Sequence, residues 1–295
     1  MKKLLVPTLA LFAFLFTACD DNDSDEMTEG NLKLSVTNLM ASASGEQYEG
    51  WIIVDGAPVS TGTFTVDASG GFSQSSFTVD LAKLNAATDF VLSIEPMPDS
   101  DPAPSAIKIL GGSFSGTSAT ITAAHGAALG DDFSAVMGKY ILATPTTTTT
   151  DDELSGVWFL DLSSGAPATS LDLPTLPAGW KYEGWAVIDG MPVTTGTFSM
   201  VDKADDAAPF SGMDGDGPMF PGEDFVANAP SGLTFPTDLS GATVVISIEP
   251  NPDNSPDPFL FKPLVGMAPA SADDHMTYDL NDNVAGSFPT GTAMR

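Results

Sequence analysis

Asp214-Gly215-Asp216-Gly217, followed by Glu223-Asp224, is the stretch whose residue types and spacing best suit ligand chemistry. Hard cations take several oxygen ligands, and a glycine-rich turn lets carboxylates converge. Asp214, Asp216, Glu223 and Asp224 are therefore the candidate binding residues, and calcium is the candidate ion. A solvated acidic loop is the competing reading. Glu49, Glu183, Glu95 and Glu249 form a second acidic set. An acid–base pair needs two carboxyls held close, and a sequence gives no such distance. The plainer reading is strand-end acids bonded to loop backbone or solvent. His125 and His275 lie in no His-Glu-x-x-His pattern, and Cys19 has no second cysteine to join it. A zinc site of the usual nitrogen and sulfur type is unsupported. Gly112-Ser113-Phe114-Ser115-Gly116 lacks the central serine of a nucleophile elbow, and no phosphate-cradling glycine loop follows a strand. These residues point to no reaction, so the chain is read as non-catalytic.

The shared glutamates belong to a stretch present twice. Tyr48-Glu49-Gly50-Trp51-Ile52-Ile53-Val54-Asp55-Gly56 continues through Pro58 and Gly62 to Phe64. Tyr182-Glu183-Gly184-Trp185-Ala186-Val187-Ile188-Asp189-Gly190 continues through Pro192 and Gly196 to Phe198. The replacements all keep strand character, and chance does not produce such a match. Each copy reads as a hairpin turning at Asp-Gly. The missing side chain of Gly62 is expected to admit the Trp51 ring. Phe90-Val91-Leu92-Ser93-Ile94-Glu95-Pro96 returns as Val244-Val245-Ile246-Ser247-Ile248-Glu249-Pro250, each followed by a proline–aspartate loop. The path from hairpin to this strand is longer in the second copy, and the extra residues include Asp205 to Ser231. Met213, Met219, Phe220 and Phe225 interleave with acids there. Exposed, they would form a partner-binding patch; buried, they would cover a sheet face.

Around these landmarks lie short strand-like runs set off by turn residues, including the alternating Leu32–Leu39 and the segments Ala119–Thr122, Tyr140–Pro145 and Val157–Leu162. Such spacing argues for antiparallel β-structure. The length suits two domains. The expected fold is all-β, two tandem antiparallel β-sandwich (Ig-like) domains over 31–148 and 149–295, with an insertion near 205–231. Tyr140–Pro145 is expected to close the first.

The N-terminus reads as an address. Met1-Lys2-Lys3 is basic, and Leu4 to Phe16 is apolar but short for a membrane span. Leu15-Phe16-Thr17-Ala18-Cys19 resembles the lipobox of bacterial lipoproteins, in which the cysteine is lipidated after cleavage; Phe16 departs from the usual aliphatic residue. Residues 1–18 are therefore expected to be a signal peptide and Cys19 the lipidation site. Residues 19–30, beginning Asp20-Asp21-Asn22-Asp23-Ser24-Asp25-Glu26, are read as a disordered acidic tether. With a net charge of −29, the chain repels nucleic acid. Its expected partners are a membrane, reached through the lipid, and an envelope protein; its expected place is the cell envelope.

Tyr-x-x-Trp, Asp-Gly-x-Pro-Val-x-x-Gly-x-Phe and the strand ending Ser-Ile-Glu-Pro together resemble the C-terminal extracytoplasmic domain of anti-sigma-K factors (RskA-type). The resemblance covers Tyr48–Gly112 and, with the insertion, Tyr182–Gly266. It implies the outer-domain fold and an envelope setting. Full proteins of that kind add a cytoplasmic sigma-holding part and one membrane span, and this chain shows neither. The expectation is a binding, sensing or scaffolding lipoprotein in envelope signalling. The alternative is a calcium-dependent or polysaccharide-binding adhesive surface protein.

Overall fold

The computed structural model describes residues 28–253 and 255–295. Cys19, the expected leader and most of the expected tether lie outside them. Glu29 and Gly30, expected in the tether, already belong to the first strand. Among the described residues no helix is long and apolar enough to cross a membrane.

The described chain is all-β apart from two short helices. One sheet holds the first hairpin. Its strands are β2 (Glu46–Val54), β3 (Ala57–Phe64), β5 (Asp89–Pro96) and β6 (Lys108–Ser113), in the order β3-β2-β5-β6. A second sheet contains β1 (Glu29–Thr37), β4 (Ser76–Asp80), β7 (Ser118–Ile121) and β18 (Thr290–Met294), in the order β4-β1-β18-β7. The bridge between Gly111 and Thr122 joins the two. Helix α1 (Leu81–Ala86) follows β4 and starts at Asp80, whose side chain accepts the Lys83 amide.

The remaining main sheet has eight strands. They are β8 (Gly138–Leu142), β9 (Gly156–Trp158), β12 (Trp180–Ile188), β13 (Met191–Phe198), β14 (Gly222–Asp224), β15 (Thr243–Pro250), β16 (Phe261–Met267) and β17 (Thr277–Asp282), in the order β13-β12-β15-β16-β17-β8-β9-β14. The two-residue strands β10 (Leu160–Asp161) and β11 (Ala168–Thr169) pair with each other, and α2 (Val284–Ser287) precedes β18.

The two strand orders correspond position by position once the Gly111–Thr122 bridge is counted. β8 then occupies beside β17 and β9 the place that β18 occupies beside β7 and β1. The strand that ends each half of the chain therefore completes the sheet of the other half. Tyr140–Leu142, expected to close the first unit, pairs instead with Thr277–Tyr278 and with Val157–Trp158. The polypeptide thus crosses the expected 148/149 boundary twice. The physical reason is that an apolar, strand-favouring run marks a segment as a strand without choosing its neighbour.

The repeated hairpins pair in the same register. Tyr48 faces Phe64 and Tyr182 faces Phe198, and both hairpins shift register after the glycine at position 50 or 184. The turn residues Asp55, Gly56, Asp189 and Gly190 all have positive φ, the geometry of a two-residue hairpin that follows the strand twist. The shift leaves Thr61 and Thr195 unpaired as bulge residues. Gly62 and Gly196 follow at φ 119° and 111°. A Cβ on Gly62 would meet Phe77 rather than Trp51, which corrects the expected contact.

One continuous apolar cluster runs through both halves. Phe133 packs on Phe288, Phe288 on Phe261 and Phe261 on Trp180, with ring centroids 4.8–5.9 Å apart. A smaller cluster of Ile141, Ala143, Trp158 and Leu160 lies outside it, with Phe220 packed against it. The insertion therefore divides its apolar residues. Phe225 is buried and Phe220 covers a sheet face, whereas Met213 and Met219 are exposed.

Candidate functional site

Strand alternation puts Glu49 and Trp51 of β2 on the same face as Val91, Ser93 and Glu95 of β5. Tyr48, Ile52, Phe90 and Leu92 point the other way, into the main core. Trp51 is buried yet outside that core. Its indole Nε1 donates to Ser93 Oγ at 2.8 Å, and Ser93 Oγ donates to Glu95 Oε1. The Ser105 amide donates to Glu95 Oε1 at 2.9 Å and Oε2 at 3.2 Å. Ser60, the residue before the register shift in β3, donates to Glu49 Oε1.

The second hairpin builds the same relay. Trp185 Nε1 donates to Ser247 Oγ at 2.7 Å, and Ser247 Oγ donates to Glu249 Oε1. Thr194 donates to Glu183 Oε1. The relay explains the buried Trp and Ser: each polar atom that leaves water gains a partner. Here, however, the loop amide of Phe259 reaches only Glu249 Oε1, at 2.8 Å. Glu249 Oε2 and Glu183 Oε2 are buried with no donor. Asp253, on the loop after β15, completes a group with these two glutamates. One ligand oxygen from each lies within 4.8 Å of the others, and this is the only such three-residue group among the described residues.

The electrostatics follow from burial. Desolvation first, and then the charges of Glu249 and Asp253, push the Glu183 carboxyl up to about 8, against the pull of the Thr194 hydrogen bond. Desolvation pushes Glu249 up to about 7. Glu49 is raised as well, mainly by burial. Three converging carboxyls with two donor-free oxygens can share protons or hold a hard cation.

Asp214 and Asp216 are exposed, whereas Glu223 and Asp224 are buried on β14. Asp224 Oδ1 accepts Trp158 Nε1 at 2.8 Å, and its Oδ2 accepts the Thr146 amide and hydroxyl at 2.8 and 2.6 Å. Glu223 accepts from Ser211 and from the Phe210 amide. The structure therefore does not gather the four acids; two are solvated and two are satisfied by protein donors. His125 lies 3.4 Å from Asp89 and His275 3.5 Å from Asp274. Sequence reasoning singled out Glu183 and Glu249 as shared strand-end acids but missed Asp253. The signal was available: the same Glu-Pro-x-Pro-Asp spacing follows both Ser-Ile segments.

Tyr48 and Tyr182 lie in the core, with their hydroxyls donating to the Met40 and Pro174 carbonyls at 2.8 and 2.6 Å. Trp51, by contrast, lines an apolar hollow of about 350 Å³ with Ile53, Pro58, Val91, Lys108 and His125.

Residues 25–107 match the family model of the anti-sigma-K factor RskA C-terminal domain. The match runs through β1 to β5 and stops before β6. It covers less than half of the chain and does not extend to the second hairpin. No curated protein and no solved structure matches the chain. The match relates residues 25–107, and those residues alone, to the C-terminal domain of anti-sigma-K factors.

Proposed function

We propose that the chain is a non-catalytic, lipid-anchored envelope protein in which two Ig-like sandwich units related to the anti-sigma-K outer domain bind a protein partner in signalling. The observation that carries this reading is the family match over residues 25–107, which falls on the hairpin and the Ser-Ile-Glu-Pro strand. The common strand order and the repeated Trp–Ser–Glu relay support extending it to the second unit. Leu15-Phe16-Thr17-Ala18-Cys19 supports lipidation. A lipidated exported protein does not reach a cytoplasmic sigma factor, so the regulatory contact is with a membrane-spanning component.

The experiment combines gene deletion with crosslinking in intact cells. Deletion should change transcription of a sigma-factor regulon, and the chain should crosslink to a membrane-spanning protein of that system. An unchanged regulon together with no such crosslink would remove the signalling role. Lipid-precursor labelling of wild type and Cys19→Ala tests the anchor, and equal labelling of both would remove it.

A further inference from the structure

We propose that Glu183, Glu249 and Asp253 form a calcium site at the seam between the two halves of the chain. The site is separate from the acidic stretch of the insertion and does not depend on the signalling reading.

Three observations converge on it. First, the ligand oxygens lie within 4.8 Å of one another. Calcium–oxygen distances are about 2.3–2.6 Å, so oxygens on opposite sides of the ion are separated by up to about 4.6–5.2 Å. That span is compatible with the three oxygens sharing one calcium ion. Magnesium, at about 2.0–2.1 Å, demands near-octahedral geometry and dehydrates reluctantly.

Second, Glu183 is 4 % exposed and Glu249 0 %, and each keeps an Oε2 with no donor. Their Oε1 atoms are held by Thr194, Ser247 and the Phe259 amide. A buried carboxylate oxygen without a partner is costly, and a cation removes that cost for both at once. All three ligands are carboxylates, which selects a hard ion over zinc or copper.

Third, the first half provides an internal contrast. Glu49, Glu95 and Asp99 occupy the corresponding sequence positions. There the Ser105 amide donates to both Glu95 oxygens, and the three acids do not gather as the second set does. The same motif thus has its oxygens satisfied by backbone in one half and left open in the other.

Access is through a groove of about 530 Å³ lined by Glu249, Asp253 and Asp257 from the second half and by Ser44 and Glu46 from the first. Water entering it can complete the coordination shell. Occupancy would draw the loop after β15 toward β12, against the segment that joins β1 to β2.

The test uses the mature chain stripped with chelator and titrated with calcium chloride by calorimetry and thermal melting. One calcium should bind per chain and raise Tm. Asp253→Asn, which alters the least buried ligand, should weaken binding by about tenfold or more. Asp99→Asn and Asp214→Asn should leave it unchanged. Terbium gives a readout in the unmutated fold: Trp185, linked through Ser247 to Glu249, should sensitise its emission, and calcium should quench it by displacement. Absence of heat and Tm shift at millimolar calcium, an undiminished response in Asp253→Asn, or an equal response to magnesium would each overturn the proposal.

Discussion

Leu34 of β1 lies opposite Ala293 of β18, and both are buried although they stand near opposite ends of the described chain. The pairing continues from Lys33 with Met294 to Thr37 with Thr290, while the other edge of β18 pairs with β7. A chain ending at Phe288 keeps its aromatic seam but loses this strand. In hydrogen exchange, the amides of β1 and β7 should lose protection while β8 and β9 retain theirs. Unchanged exchange in β1 would contradict the strand exchange. For the same reason residues 28–148 expressed alone should not fold, since β18 is missing and β8 has no sheet to join.

Arg295 fastens the same strand. Its Nη1 donates to the Leu84 and Ala87 carbonyls at 2.7 Å, its Nη2 donates to Gly116 at 3.0 Å, and the guanidinium lies 4.4 Å from the Phe114 ring centroid. Carbonyls at a helix C-terminus have no intrahelical partner, and here a cation supplies one. Arg295→Ala should cost about 1.5–3 kcal/mol, read as a lower urea midpoint at an unchanged m value.

The bulge glycines should differ in their tolerance of substitution. Both need a positive φ, so alanine is strained at either, by roughly 1–3 kcal/mol. A Cβ on Gly62 meets only the movable Phe77 ring, at 3.2 Å, whereas one on Gly196 meets Asp205 Cγ at 2.8 Å and the Ala207 carbonyl oxygen at 2.9 Å. Gly196→Ala should therefore lower Tm more than Gly62→Ala. Equal losses would show that strain alone decides.

Stability should fall between mildly acidic and mildly alkaline pH. Burial pushes Asp205 from 3.8 up to about 7 and Glu223 from 4.5 up to about 7. Between their unfolded and folded pKa values the folded chain holds more protons than the unfolded one, so the slope of unfolding free energy against pH is negative. The stabilisation is complete below about pH 4 and is lost as pH rises through about 7. In chelator-containing buffer Tm should be higher at pH 5 than at pH 8. Asp205→Asn, which still accepts the Gly222 amide, should flatten the difference; a wild-type profile that is flat or rises would refute the assignment.

Local features were legible where the backbone itself demands a residue type. Asp55-Gly56 and Asp189-Gly190 announced their turns because both positions need positive φ. The apolar runs stopped by Glu-Pro in Phe90–Pro96 and Thr243–Pro250 announced strands, and the repeat announced equivalent registers. Partner choice was not legible. Tyr140–Leu142 reads as a strand, but nothing in it names the sheet it joins, and Thr290–Met294 carries no apolar run to mark it as a strand at all. The site was half legible. Glu183 and Glu249 stood out through repetition, but convergence with Asp253 depends on the loop path, and donor-free oxygens depend on which amide each loop presents. Asp214 and Asp216 drew attention by composition, which does not register exposure.

The exchange of β8 and β18 also sets an order of events during maturation. The sheet containing β1 cannot be finished until residues 290–294 arrive, so its first strand waits for the last. The second half needs β8, which is made before any other strand of its sheet and stands ready as a template for β9 and β17. The later half can therefore complete its sheet before the earlier one, and then deliver β18 as the closing piece. Such distant pairing slows folding because a long loop must close before the contact rewards it. An interrupted chain would be left with β1 and β7 as open edges, the kind of surface that recruits further strands.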